Sequence, residues 1–327
     1  MKILYAANRN NNSRIQLSRF MEAMNNTDHQ IKIAGYKDYL PKGLNIDWCL
    51  TALLNIYKPE LLSLNNDNLH IYFDQIKSFA PDLIISDLEY FTSYLANLMN
   101  TPLWQCSSSI ISHALPTSEK YDLGLFKFYA HSLNRDPQHT QRTANIIANS
   151  DCNFVYSHFG DANYPPKLQN NFEWIRPYHK VHRLHKPCQH YVVAGLSENN
   201  KQVVQVLKKY PDSVVFMDAG AEKYHNIKIK DINSEDEYYC NLRNCSYFVC
   251  QGQASFLADA FYNNKCPIIY PDYQDAESII NSHLSKKLLL GDINSNDADI
   301  TDFQSTEVPP TYDDSIKYLH EKISEIA

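Results

Sequence analysis

Short apolar runs recur along this chain, each followed by a polar turn and then by a longer stretch with apolar residues at helical spacing. A run with no polar face fits a strand covered on both sides, and such strands belong to parallel sheets. Lys2–Ala7 is the first. Ile31–Ala34, Leu83–Ile85, Pro102–Cys106 and Asn153–Tyr156 follow, with helices expected over Arg14–Met24, Asn68–Phe79, Phe91–Met99 and Thr140–Asn149. Residues 157–188 contain Pro165, Pro166, Pro177 and Pro187 and show no period, which predicts a linker there. The alternation then resumes. Strands are expected at His190–Ala194, Ser213–Met217, Ile227–Ile229, Tyr247–Cys250 and Pro267–Tyr270. Helices are expected at Glu198–Tyr210, Glu235–Arg243, Gln253–Tyr262, Gln274–Lys287 and Ser315–Ile326. Two βα series on either side of a break predict an α/β protein with two doubly wound, Rossmann-like parallel-sheet domains. A length of 327 residues supports two cores. The expected division is 1–175, a hinge at 176–188, a second domain at 189–311, and a C-terminal helix in 312–327.

Composition narrows the class. No apolar run has bilayer-spanning length, and the first residues lack a signal-peptide pattern, so a cytoplasmic location is expected. The eight cysteines are scattered without paired metal-binding spacing, as expected for buried reduced thiols. The net charge of −7 argues against a broadly basic nucleic-acid surface. One local exception is the strip Arg176–Lys186, with four Lys/Arg and no acid. Only eight glycines occur, so glycine-rich phosphate fingerprints are expected in disguised form.

In doubly wound sheets, ligands bind outside the carboxyl ends of the strands. The turns at those positions in the second half are Gly195-Leu196-Ser197, Asp218-Ala219-Gly220, Gln251–Ser255 and Asp272–Asp275. In the third, a strand runs through a small glycine-containing turn into a helix. Exposed N–H groups and the helix dipole there favour an anion such as a diphosphate. Asp259 lies four residues past Ser255, where a carboxylate could accept ribose hydroxyls. The simpler reading gives Gly252 a tight turn, Ser255 a helix cap and Asp259 a solvated surface.

The block Cys245–Ser282 resembles the sugar-nucleotide block of GT-B glycosyltransferases, such as the peptidoglycan lipid-intermediate N-acetylglucosaminyltransferase and the UDP-glycosyltransferases. Gly252, Ser255, Asp259, Pro271, Gln274, Asp275 and Asn281 occupy comparable places. The chain departs from the pattern at Gln253, where a second glycine is usual, at Asp259 in place of Glu, and in the order Gln274-Asp275. Segments Pro81–Gln105 and Ala144–Asp161 resemble the first domain of the same fold. The resemblance implies two domains facing a cleft. It also implies a nucleotide-sugar donor, UDP-linked, as substrate rather than cofactor, and donor contacts from Gly195, Ser197, Gln251, Gly252, Gln253, Ser255, Asp259, Asp272, Gln274 and Asp275.

Many such proteins carry a His base after the first strand; here the loop is Asn8–Ser13, with Arg14 near that place. Arg cannot accept a proton at neutral pH. Asp87 and Glu89, after the Leu83 strand, are the leading candidates for the base, with His113 next. Their bland roles are helix capping for Asp87 and a surface histidine for His113. Arg9, Asn12, Arg14, Arg176 and His179 are candidates for phosphate or acceptor contacts, with a solvated basic linker as the alternative for the last two. No Asp-x-Asp metal motif stands in a suitable loop, since Asp297 and Asp299 fall in an irregular acidic stretch. The expected reaction is inverting, metal-independent sugar transfer to an acceptor hydroxyl. The alternatives are a bacteriophage-type DNA glycosyltransferase acting on a hydroxylated base, a nucleotide-sugar epimerase, and a non-catalytic nucleotide-sugar-binding protein. The acceptor is not written in the motifs, and nucleic acid is a candidate through the basic strip.

Overall fold

A computed structural model describes residues 1–8, 11–25, 27–37, 40–41, 43–50, 67–157, 171–175, 192–195, 207–209, 213–217, 228–231, 235–263, 265, 267–272, 275–287 and 314–326. The first sheet contains β1 (Lys2–Ala6), β2 (Gln30–Gly35), β3 (Trp48–Cys49), β4 (Leu83–Ser86), β5 (Leu103–Ser107), β6 (Cys152–Tyr156) and β7 (Phe172–Ile175). All its pairings are parallel, in the order β3-β2-β1-β4-β5-β6-β7. The order reverses between β1 and β4, which opens a crevice at their carboxyl ends. The second sheet repeats the device. It comprises β8 (Val192–Gly195), β9 (Val214–Met217), β10 (Lys228–Asp231), β11 (Tyr247–Cys250) and β12 (Pro267–Ile269), in the order β10-β9-β8-β11-β12. Its reversal falls between β8 and β11. The expected α/β class with two doubly wound parallel sheets is therefore what the chain adopts.

The helices of the first domain are α1 (Asn11–Met24), α2 (Asp67–Phe79), α3 (Tyr90–Met99), α4 (Ile111–Ala114), α5 (Thr117–Asp122), α6 (Phe126–Arg135) and α7 (Pro137–Ala148), and they cover its sheet from both faces through α1, α2 and α3. Ile3, Tyr5 and Ile85 pack with Leu17 and Phe20 of α1 on one face. The alternate residues Leu4 and Ile84 pack with Ile76, Phe91 and Leu95 on the other. This two-sided burial explains why the strands carry no polar alternation. Local signals set the helix ends. Asp136 accepts from the His139 N–H at 2.9 Å, with Pro137 at the first helical position. Asn100 closes α3 in the left-handed conformation, φ 53°.

The second domain adds α8 (Glu235–Asn244), α9 (Ala254–Tyr262) and α10 (Ala276–Lys287), and the last described helix is α11 (Asp314–Ile326). Its Ile323 is buried in the core of the first domain. Tyr318 donates to Glu173 of β7, and Lys322 lies 3.6 Å from the same carboxylate.

Four expectations need correcting. The Asn/Arg loop is shorter, because α1 begins at Asn11, three residues before the expected start at Arg14, and takes Asn12 into the helix; nothing in Asn11–Arg14 breaks a helix. The proline-rich stretch contains β7, which pairs along Asn153–Tyr156; only four residues long, it has too short a pattern to stand out. Helices α5 and α6 fill a region that periodicity had left unassigned. The α7 helix opens at Pro137, three residues earlier than expected, because proline suits a first turn. The expected helix at Glu198–Tyr210 lies almost wholly outside the described residues, as does the acidic stretch 292–310.

Removing the buried part of Ile323 leaves a cavity in a domain distant in sequence. Ile323→Ala is expected to destabilise by about 2–5 kcal/mol, read by urea unfolding monitored through the fluorescence of Trp48, Trp104 and Trp174, all in the first domain.

Candidate functional site

The two switch points meet. After β4 the chain turns through Asp87-Leu88-Glu89, with Leu88 at φ 53°. A leucine in the left-handed region costs on the order of 1 kcal/mol and sends its two neighbours different ways. Glu89 turns back into its own domain and caps α3, accepting from the N–H groups of Phe91 at 3.2 Å and Thr92 at 2.7 Å. The capping role considered for Asp87 thus belongs to Glu89. Asp87 points the other way, toward α1 and the second domain. It accepts from the hydroxyls of Ser13 and Ser107. Burial raises its pKa, and those two bonds offset the rise in part.

Across the boundary, β11 runs into Gln251-Gly252-Gln253 and then α9. Gly252 sits at φ +90°, and a Cβ there would lie 3.0 Å from Ile269 Cγ2 and 3.3 Å from the Ser278 carbonyl. Both the backbone and the space demand glycine. Gln253 is the N-cap residue but makes no side-chain capping bond. Ser255 is the second helical residue rather than the cap, and its Oγ is buried without a partner. The Ala254 N–H is taken by Oε1 of Glu277, at 2.8 Å.

Glu277 stands on the first turn of α10 and is 2% exposed. It also accepts from the Ser108 hydroxyl. Consecutive serines at the end of β5 therefore hold one carboxyl each: Ser107 on Asp87 and Ser108 on Glu277. Burial, then the charges of Asp275 and Asp87, push Glu277 up to about 8 against its hydrogen bonds. Asp275 accepts from the Glu277 N–H at 3.1 Å, and the Asp272 N–H bonds Ser278 Oγ at 2.8 Å. Asn281 Nδ2 donates to the Gly252 carbonyl at 2.7 Å and ties α10 to the turn.

Further along the two helices, Arg19 of α1 meets Asp259 of α9 at 2.6 Å, with Tyr239 Oη 3.2 Å from both. Burial works against the Arg19 charge, but Asp259 and the neighbouring tyrosines outweigh it and hold its pKa above the ordinary value. The carboxylate expected to serve a ribose is thus bonded across the domain boundary and is buried, not solvated. Gln16, one turn from both Ser13 and Arg19 on α1, is buried with neither end of its amide bonded.

His113 lies on α4, edge-on to Tyr129 at 5.8 Å between ring centroids. Burial, with Lys120 and His139 nearby, lowers its pKa to about 4, so it is neutral at pH 7. Arg14 is half-buried on α1. Gly195 ends β8. Arg9, Arg176, His179, Ser197 and Gln274 lie outside the described residues, and of Asn12 only the helical backbone is described. The sequence reading passed over Ser13, Gln16, Arg19, Ser107, Ser108 and Glu277. The first three recur every third residue of α1, a polar stripe inside a helix already known to pack on a sheet. That periodicity was the available signal. Among the described residues no helix is long and apolar enough to cross a membrane.

The shifted acid leaves a signature in stability. An unfolded glutamate titrates near 4.5 and Glu277 in the fold near 8, so between those values the folded chain holds the extra proton. Stability from this group is full below pH 4.5 and falls through pH 8, by at most about 1.4 kcal/mol per unit. Glu277→Gln is expected to flatten that loss, as read by chemical denaturation across pH 5–9.

No protein-family model and no curated protein matches the sequence significantly. Solved structures do match the fold. The spinosyn forosaminyltransferase aligns over 99% of this chain and 91% of its own, at 15% identity and TM-score 0.56. The kitacinnamycin glycotransferase aligns over 99% and 90%, at 14% identity and TM-score 0.55. The Methanocaldococcus jannaschii UDP-GlcNAc 2-epimerase, solved with UDP-GlcNAc and UDP, aligns over 99% and 100%, at 10% identity and TM-score 0.58. Transferases and an epimerase share this architecture, and the likeness is one of fold. Two doubly wound sheets meeting at their switch points, with the last helix crossing back to the first domain, give this chain the GT-B fold of nucleotide-sugar glycosyltransferases.

Proposed function

We propose that the chain is an inverting glycosyltransferase that moves a sugar from a nucleoside diphosphate, UDP by preference, to an acceptor hydroxyl without a metal ion. The observation that carries this reading is the approach of Asp87, a proton acceptor at one switch point, to the Gly252–Ala254 turn at the other, close enough for its charge to act on Glu277. The fold shared with sugar transferases supports it. So does the M. jannaschii epimerase, a protein of the same architecture that holds UDP and UDP-GlcNAc.

In this mechanism the diphosphate lies at the amino end of α9, where N–H groups and the helix dipole stabilise negative charge. Gly252 lets the backbone come close. Arg14, with Arg9, Arg176 and His179, supplies positive charge in place of a cation. Asp87 takes the proton from the acceptor hydroxyl, and the oxygen attacks the anomeric carbon on the face opposite the phosphate. The carbon–oxygen bond to the β-phosphate breaks, and the nucleoside diphosphate leaves with the electron pair. Burial suits Asp87 to this task, because a raised pKa makes a carboxylate a stronger base. Glu89, spent on capping, supports the loop, and burial lowers the His113 pKa to about 4, which makes it a weak base.

Incubation with a panel of nucleotide sugars, with and without acceptor glycans, lipids, small aglycones and duplex DNA bearing hydroxymethylated bases, tests the reading. Transfer that requires an acceptor is the expected result. Interconversion of the donor alone supports an epimerase, and inertness toward every donor removes the proposal. Asp87→Asn is expected to lower kcat by about 10²–10⁴-fold while donor affinity stays within about threefold. The acidic limb of the kcat/KM profile is expected above the ordinary carboxylate range.

A further inference from the structure

A helix amino end in a cleft ordinarily meets water or a ligand. At α9 it meets the chain's own carboxyl group. Glu277 reaches from the first turn of α10 to the Ala254 N–H, at 2.8 Å, and Ser108 of the opposite domain holds the same side chain. The contact therefore bridges both domains. It offers the turn what a phosphate offers, an oxygen acceptor on the helix axis. The surroundings fit a bonded group other than Glu277. Ser255, on the same first turn, buries a hydroxyl with no partner, and Gln16 of the first domain buries both ends of its amide unbonded. Buried groups of this kind are costly and mark sites completed by something else.

We propose that Glu277 is a placeholder for the donor's phosphate, seated on the α9 turn and displaced from it when a nucleoside diphosphate binds. This rests on the donor reading given above. Displacement frees the Ala254 N–H for a phosphoryl oxygen and leaves Ser255 to bond another. It also releases Ser108, so donor entry loosens one tie between the domains while the Arg19–Asp259 pair keeps another. The charged and titratable groups facing Glu277 are Asp87 from the end of β4 and Asp275 before α10, both acidic. An ionised Glu277 among them holds the N–H more strongly and repels a phosphate. Affinity for the diphosphate is thus expected to fall as pH rises, and the fall is expected to need Glu277.

The test is calorimetric titration of the folded full chain with UDP, and with dTDP and GDP in parallel, at pH 6 and pH 9. Glu277→Ala is expected to bind UDP at least about fivefold tighter than the wild type at both values. Glu277→Gln keeps the shape and an acceptor, so it guards against a variant that does not fold. It is expected to match the wild type at pH 6 and to bind tighter at pH 9. Equal affinities of wild type and both variants at both pH values overturn the placeholder and leave the donor reading standing. Weaker binding by Glu277→Ala overturns it too, because Glu277 then contacts the ligand. If no nucleoside diphosphate binds any folded form, the donor reading itself fails and takes the placeholder with it.

Discussion

Two sheets that meet at their carboxyl ends press polar turns against polar turns, and each buried charge between them must find a partner nearby. That constraint organises the centre of this molecule. Arg19 and Asp259 neutralise each other across the boundary. Asp87 relies on the hydroxyls of Ser13 and Ser107, Glu277 on the Ser108 hydroxyl and the Ala254 N–H, and burial raises the proton affinity of both. A buried ion pair of this kind is weak evidence of net stability, but losing one partner is costly. The pair joins α1 to α9 across the boundary, beside an apolar cluster that also spans it.

The sheets were legible because their strands are buried on both faces. Leu83–Ile85 and Tyr247–Cys250 have no polar alternation, and that lack is what identifies a parallel core strand. The turn at Gly252 was legible for a related reason: one glycine between a strand and a helix, in a chain poor in glycine, marks a place where the backbone needs it. Glu277 was not legible. It lies on a helix two residues past Asp275, and nothing in its spacing separates a solvated first-turn acid from one directed into a neighbouring turn. Asp87 and Glu89 could not be told apart either, since the left-handed Leu88 between them decides which one caps and which one faces the cleft. Asp259 shows the limit of motif matching. Its place in the chain suggests a nucleotide contact, while the three-dimensional arrangement gives it an arginine from a segment 240 residues earlier.

Proteins named as sugar transferases and one named as a nucleotide-sugar epimerase share this architecture. What differs is what receives the sugar. In the mechanism proposed above, a proton acceptor beside the anion turn serves an incoming hydroxyl, and the serines bonded to Asp87 orient that acceptor. The exposed Tyr121 and Phe126 stack at 4.9 Å between ring centroids on α5 and α6.

The return of α11 to the first domain has a consequence for synthesis. Ile323 belongs to the same core as Ile3 and Tyr5, so that core is incomplete while the chain is still emerging from the ribosome. The amino-terminal unit waits, its core short of Ile323, through the translation of the whole second unit. Its maturation is thereby tied to the synthesis of α11. A chain interrupted anywhere in the second half leaves an unfinished first half for chaperones and proteases to find.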